Sequence, residues 1–129
     1  MKRKILKPTR GTIKVRIDLG GTALTATLDD TEVAKDFAAL LPLDLTLDDY
    51  ASTEKVSALP RKLSTTGSPA GTDASVGDIS YYAPWGNLAV FYRKSGYARG
   101  LVKIGAIDAG SETLSSAGPL TAKFELVEG

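Results

Sequence analysis

Hydrophobic and polar residues alternate along much of the chain, in the pattern of β-strands with one buried and one exposed face. In residues 13–19 the apolar side chains occupy the odd positions and charged ones separate them. Gly20-Gly21 follows, a pair suited to a tight hairpin turn, and residues 24–28 alternate again. We therefore predict that the fold opens with an antiparallel β-hairpin.

The segment after this hairpin replaces the two-residue alternation with helical spacing. Asp30 and Thr31 are residue types that cap the first free N–H groups of a helix, and Val33 and Phe37 lie four positions apart. Pro42 cannot continue a helix. These features predict one short helix of about nine residues, with an apolar side that caps one mouth of a barrel.

Strand patterns resume beyond Pro42 and continue to the end of the chain. They cover residues 43–47, 56–63, 79–83, 88–93, 101–108 and 122–128. Pro60 is expected at an edge or bulge, and residues 64–77 are nearly all turn formers, which predicts one long exposed loop. A further turn is expected around Tyr97 and Gly100. Seven or eight short strands with a single helix are typical of a small, mostly β closed barrel or a sandwich.

Composition excludes several kinds of chemistry. The 129 residues suit one domain and contain neither histidine nor cysteine. Their absence rules out a Ser-His-Asp triad, a histidine base, a disulfide and a zinc site with histidine or cysteine ligands. Catalysis would have to come from Asp, Glu, Lys, Arg, Tyr or a bound ion. We predict no cofactor and no metal site.

Charge is unevenly distributed along the chain. Seven basic residues and no acidic one precede Asp18, and nine basic residues face fifteen acidic ones from there on. We divide the chain into a basic N-terminal arm, residues 1–11, expected to be flexible, and a barrel domain, residues 12–129. No apolar run approaches the roughly 18 residues of a membrane span, and no signal-peptide core follows the basic start. A cytoplasmic protein without membrane contact is expected.

Three segments, residues 36–50, 54–69 and 76–108, resemble small bacterial and archaeal proteins that have a cyclophilin-like fold. The resemblance runs from Lys14 to Glu128 and is most specific where Gly-Asp-Ile is followed by Tyr-Tyr-Ala-Pro-Trp-Gly-Asn, up to Asn87. It implies a closed β-barrel related to that of the peptidyl-prolyl isomerases, with seven or eight strands and one capping helix.

The segment Leu59–Leu63 resembles the strand that bears the arginine of true cyclophilins. The resemblance implies a catalytic role for Arg61. An arginine that donates to the prolyl nitrogen in a dry pocket would weaken the amide resonance behind a barrier of about 20 kcal/mol. The chain departs from true cyclophilins because it is shorter and lacks both their pocket histidine and their Gln-Phe-Phe. The alternative for Arg61 is a surface arginine paired with a carboxylate.

Aromatic residues are concentrated near Trp85. Alternation sends Tyr81 and Tyr82 to opposite faces, and Trp85 lies between proline and glycine in a predicted turn. An aromatic ring with an N–H donor at a barrel mouth suits a planar ligand or a proline ring. The alternative is that Trp85 fills the barrel end. The predicted ligand-binding residues are Arg61, Tyr82, Trp85, Asn87 and Phe91.

Aromatic and basic residues also alternate at Tyr92, Arg93, Lys94, Tyr97 and Arg99. Such a pattern can bind single-stranded nucleic acid. We favour the alternative, an ordinary hairpin with solvated charges, and predict no nucleic-acid partner.

Three acidic residues lie close together around Tyr50, namely Asp48, Asp49 and Glu54. Their spacing matches no calcium-binding loop, and we interpret them as surface charges.

Three functional hypotheses remain from the sequence. The leading one is a module that binds a small molecule or an extended peptide in a cleft at the barrel. The first alternative is a peptidyl-prolyl isomerase that uses Arg61 as its electrophile. The second is a protein-interaction module with a protein partner.

Overall fold

The computed structural model describes residues 12–116 and 118–127. The predicted basic arm, residues 1–11, lies outside the described residues.

The described chain contains ten β-strands, one α-helix and one short 3-10 helix, residues Ser111–Ser115. The strands and the helix are, in chain order, β1 (Ile13–Asp18), β2 (Ala23–Leu28), α1 (Glu32–Ala38), β3 (Leu43–Tyr50), β4 (Glu54–Ala58), β5 (Gly71–Ala74), β6 (Asp78–Tyr82), β7 (Asn87–Phe91), β8 (Ser95–Arg99), β9 (Leu101–Ile107) and β10 (Leu120–Leu126).

Eight of the strands close into an antiparallel barrel. Their order around the barrel is β1-β10-β3-β4-β7-β6-β9-β2, with β2 paired back to β1. Asp18 pairs with Ala23 across the first turn, where Gly20 has a φ of 79°. The prediction of a mostly β, closed barrel with one helix is confirmed.

The barrel interior holds the main hydrophobic core, which alternation along each strand directs inward. Helix α1 caps it as the spacing predicted. The Thr31 hydroxyl accepts a hydrogen bond from the Ala34 N–H at 3.2 Å, and the fully buried Phe37 ring meets Phe124 edge-on with centroids 5.9 Å apart. The helix is seven residues long, shorter than predicted.

The inner face of the barrel also contains a lysine. Lys55 pairs with the core residue Val90 across β4 and β7, so the two side chains share a face, and Lys55 is fully buried. Its Nζ donates to the carbonyls of Ser116 and Gly118 at 2.7 and 2.5 Å and lies 3.2 Å from the Asp49 carboxylate. These hydrogen bonds from Lys55 therefore hold the segment before β10 against the barrel.

Strands β5 and β8 form a separate two-stranded sheet outside the barrel, which we call the flap. Ala74 of the flap is buried with Ala89, Phe91 and Leu101 in a second apolar cluster. Gly100 joins β8 to β9. Its N–H donates to the Ala70 carbonyl at 2.8 Å, and its own carbonyl accepts from the Ala83 N–H at 2.9 Å.

The flap corrects two sequence predictions. Residues 64–77 are not one exposed loop, because 71–74 form β5, and the turn expected around Tyr97 is strand β8. Both strands consist of Gly, Ser, Thr, Ala, Asp, Tyr and Arg without an apolar alternation, and their pairing joins segments distant in sequence. Strand β4 also ends at Ala58, so Pro60 lies beyond the strand rather than at a bulge within it.

Candidate ligand-binding cleft

The outer face of the barrel meets the flap where Ala74 is buried against Ala89, Phe91 and Leu101. Tyr50, Glu54 and Phe91 are direct cross-strand neighbours on β3, β4 and β7. Val56 and Ala89 form the next outward-facing pair along the same two strands. The register therefore places a carboxylate between two aromatic rings, on a surface that the flap borders.

A cleft of ≈ 480 Å³ opens between this surface and strand β8. We call it the aromatic cleft. Its lining residues are Tyr50, Ala51, Thr53, Glu54, Val56, Tyr82, Trp85, Asn87, Ala89, Phe91, Lys94, Ser95, Gly96, Ala98 and Leu101. The lining mixes aromatic and aliphatic side chains with polar ones, and its volume is within the range of small-molecule sites.

Trp85 stands between two tyrosines at the rim of the cleft. Its ring centroid is 5.6 Å from that of Tyr50 and 5.2 Å from that of Tyr82, and both tyrosine rings are nearly perpendicular to the indole. The turn that carries Trp85 is closed by its N–H and that of Gly86, which both donate to the Tyr82 carbonyl. The indole nevertheless remains 57% exposed. Trp85 is therefore held in place and still open to a ligand.

Glu54 and Lys94 bring opposite charges to the cleft. Burial raises the pKa of the Glu54 carboxyl above its ordinary value. Among the described residues neither side chain has a hydrogen-bond or ion-pair partner, and the two are too far apart to pair with each other. The cleft therefore contains two charged groups that no other described residue pairs with.

Four of the five predicted ligand-binding residues come together in the aromatic cleft. They are Tyr82, Trp85, Asn87 and Phe91. Tyr82 and Asn87 are cross-strand partners, and Phe91 belongs to the buried cluster under the flap. The sequence placed Trp85 at a barrel mouth, either binding a ligand there or filling it. In the structure the cleft that it borders lies on the outer wall of the barrel instead.

The remaining predicted residue, Arg61, does not line the aromatic cleft. Its guanidinium donates to both oxygens of Asp36 on α1, at 2.9 and 3.0 Å. The Asp36 carboxylate also accepts from the Ser64 N–H at 2.7 Å. Hydrogen bonds from Arg61 and then from Ser64 lower the Asp36 pKa, and the same carboxylate raises the pKa of Arg61. The surface ion pair considered as the alternative is the arrangement found.

Sequence reasoning missed Tyr50, Glu54 and the flap as parts of the cleft. In the sequence, Tyr50 and Glu54 stand out only as parts of a group of acidic residues around Tyr50. The short connection between β3 and β4 could have predicted that they lie side by side, because it makes the two residues cross-strand partners.

The other charged patterns have structural explanations. The Asp49 carboxylate accepts from the Tyr92 hydroxyl at 2.8 Å, and this bond is the main reason its pKa is lowered, with Lys55 adding to the effect. Tyr97 is 66% exposed and lies outside the cleft lining. Within residues 12–116 and 118–127, no three acidic side chains are grouped to hold a metal ion. In the same part of the chain, no helix is long and apolar enough to span a membrane.

A second recess, of ≈ 370 Å³, lies between the start of α1 and the segment 66–72. It contains none of the predicted site residues. Lys103, on its wall, already faces Asp78 at 3.7 Å.

Together, the closed eight-stranded antiparallel barrel, the capping helix and the lateral cleft define a small barrel protein of the cyclophilin type. The model of the cyclophilin-like family matches residues 17–125, and the chain belongs to that family. No functionally curated protein matches the chain. A similar fold occurs in the solution structure of the hypothetical protein AF2241 from Archaeoglobus fulgidus. It is 17% identical, with a TM-score of 0.66 over 95% of this chain and 100% of that one. At this identity the similarity shows the fold alone.

Proposed function

We propose that the chain is a binding module that takes a small molecule or an extended peptide in the aromatic cleft. The observation that carries the proposal is the exposed indole of Trp85, fixed between Tyr50 and Tyr82 at the rim. Exposing a large ring costs hydrophobic free energy that burial against a ligand would recover. The aliphatic and aromatic part of the lining supports the same function. So do Glu54 and Lys94, which have no partner among the described residues.

The isomerase alternative lacks a comparable observation. It requires an arginine beside the aromatic pocket, and Arg61 is bound to Asp36 away from the cleft lining. We therefore favour binding without catalysis. The protein-interaction alternative is contained in the proposal where the ligand is a segment of another protein. The cytoplasmic location stays a prediction.

The single tryptophan makes the proposal directly testable. The chain would be screened by Trp85 fluorescence against ring-containing fragments and blocked pentapeptides Ala-Ala-X-Ala-Ala, with X every residue type. Binding in the cleft should shift the emission of the exposed indole to shorter wavelength. Amide chemical shifts of ¹⁵N-labelled protein should then move at the cleft residues.

A pair of variants separates the cleft from the rest of the surface. Trp85→Ala should weaken the hits by about tenfold or more, as loss of a central aromatic anchor does. Val127→Ala removes an exposed apolar side chain that lies beyond β10 and outside the cleft lining, and should leave affinity unchanged. The affinities of the variants and the wild type are compared by NMR titration of backbone amide signals, because Trp85→Ala has no tryptophan fluorescence. Hits that bind both variants as tightly as the wild type would refute a cleft at Trp85.

A further inference from the structure

Glu54 is a carboxylate that has no partner among the described residues and lies between aromatic side chains. Its cross-strand neighbours are Tyr50 on β3 and Phe91 on β7. It forms no hydrogen bond or ion pair with any other described residue. Carboxylates withdrawn from water are normally paired. Lys94, the cation that lines the same cleft, does not come within ion-pair distance. The negative charge of Glu54 is therefore available to a ligand.

The rings beside Glu54 favour a ligand of positive charge. The face of a tryptophan or tyrosine attracts a cation within about 6 Å of its centroid. Tyr50 adjoins Glu54 across the strands and contacts Trp85. An ammonium or guanidinium group at this point would meet both a carboxylate and aromatic rings, whereas an anion would meet the carboxylate unfavourably.

The opposite wall of the cleft belongs to β8, an edge strand. Strand β8 pairs with β5 and with no other strand in residues 12–116 and 118–127. Its residues Ser95, Gly96 and Ala98 line the cleft. A strand with one partner leaves backbone N–H and C=O groups unpaired on its other side, which an extended peptide can use. Side chains of such a peptide alternate in direction, so every second one would face the barrel wall.

We propose that the aromatic cleft binds an extended peptide along β8 and that Glu54 selects a lysine or arginine side chain of that peptide. This proposal rests on the proposed function and adds the chemical class of the ligand. It assigns Glu54 the role of pairing with the cation, and assigns Tyr50 and Trp85 the role of contacting the apolar stem and the charge.

The test uses three blocked pentapeptides, Ala-Ala-X-Ala-Ala, in which X is lysine, norleucine or glutamate. Norleucine keeps the apolar stem of lysine without its charge. Affinities are measured by NMR titration of the full chain, followed at the Trp85 indole N–H. The lysine peptide should bind about tenfold or more tightly than the norleucine peptide, as hydrogen bonds to charged groups would give. The glutamate peptide should bind most weakly.

Three variants, each of which replaces a charged side chain by an uncharged one, test whether Glu54 causes the preference for the lysine peptide. Glu54→Gln should abolish the preference for lysine over norleucine without weakening the norleucine peptide. Asp48→Asn neutralises a neighbouring carboxylate that does not line the cleft and should preserve the preference. Lys94→Gln removes the cation of the cleft and should not reduce the preference.

The outcomes separate this inference from the proposed function. Equal binding of the lysine and norleucine peptides at the cleft would overturn selection by Glu54 and leave a binding module in place. Butylammonium binding as tightly as the lysine peptide would overturn the role of the β8 edge. If none of the three peptides binds, the inference fails, and the wider fluorescence screen decides separately whether the cleft binds anything.

Discussion

Two glycines of the flap, Gly71 and Gly96, differ in the space available for a side chain, and alanine substitutions at the two positions should therefore differ in their effect on stability. A Cβ added at Gly71 on β5 would lie 2.4 Å from the Ala98 carbonyl oxygen and 2.8 Å from the Arg99 Cα, both backbone atoms of β8. A Cβ added at Gly96 on β8 would have nothing within 4 Å. Neither glycine has a positive φ, so alanine is strained at neither position by its backbone angles. Gly71→Ala must therefore push the two flap strands apart, and Gly96→Ala need not.

The magnitude follows from comparing the two variants. Both reduce the conformational freedom of the unfolded chain, which alone would stabilise the fold by about 0.4–1 kcal/mol. That contribution cancels in the difference between them. At Gly71 the contact must lengthen from 2.4 Å to at least 3.0 Å, and overpacking of this kind costs about 1–3 kcal/mol. We expect Gly71→Ala to be less stable than Gly96→Ala by that amount, which corresponds to a midpoint difference of roughly 3–12 °C.

Urea unfolding of both variants measures the difference in the free energy of unfolding. Hydrogen exchange then locates it, since the amides of β5 and β8 should lose protection in Gly71→Ala while those of the barrel interior keep theirs. Ligands found by the fluorescence screen should also bind Gly71→Ala more weakly. Equal stabilities of the two alanine variants would show that the flap strands are not packed at this distance, and the description of the cleft wall would then be wrong.

Two further predictions concern charges outside the cleft. The Asp36 pKa lies below its ordinary value of 3.8 because Arg61 and Ser64 donate to the carboxylate. Its ionised form therefore stabilises the fold above that value, and the stabilisation is lost as the pH falls through the lower folded-state pKa. The stability advantage of wild type over Asp36→Asn should thus be full at pH 7 and shrink below pH about 4. Urea titrations across that range test this, and an advantage independent of pH would contradict it. Lys55→Met should lower the free energy of unfolding by about 1–3 kcal/mol, because two carbonyls lose their donor and Asp49 loses its ion pair. An unchanged urea midpoint would show that the lysine is not bound as described.

The barrel was predictable from sequence because its strands carry their own signal. Alternation in β1 and β2 marks one face for the core, and that face is where Val15 and Leu28 are fully buried. The flap carries no such signal, because Gly71–Ala74 and Ser95–Arg99 are defined by each other across an intervening hairpin. The place of Arg61 outside the aromatic cleft was unpredictable for a related reason. Its local sequence resembles a catalytic strand, but its orientation is set by Asp36, which is distant in sequence.

Aromatic residues of the cleft were predictable only in part. Tyr82 and Trp85 lie in a conspicuous cluster of rings, so a site near them could be expected. Glu54 could not be distinguished from the surface acids beside it, because its significance comes from cross-strand neighbours on β3 and β7.

The junction at Gly100 has a mechanical consequence. This residue is the whole connection between flap strand β8 and barrel strand β9, and its carbonyl also accepts from Ala83, in the turn that carries Trp85. Pro84 of that turn leaves no space for a side chain at Gly100, since an added Cβ would lie 2.7 Å from its ring. We therefore expect a displacement of β8 to move the tryptophan turn with it, so that the two sides of the cleft would shift together.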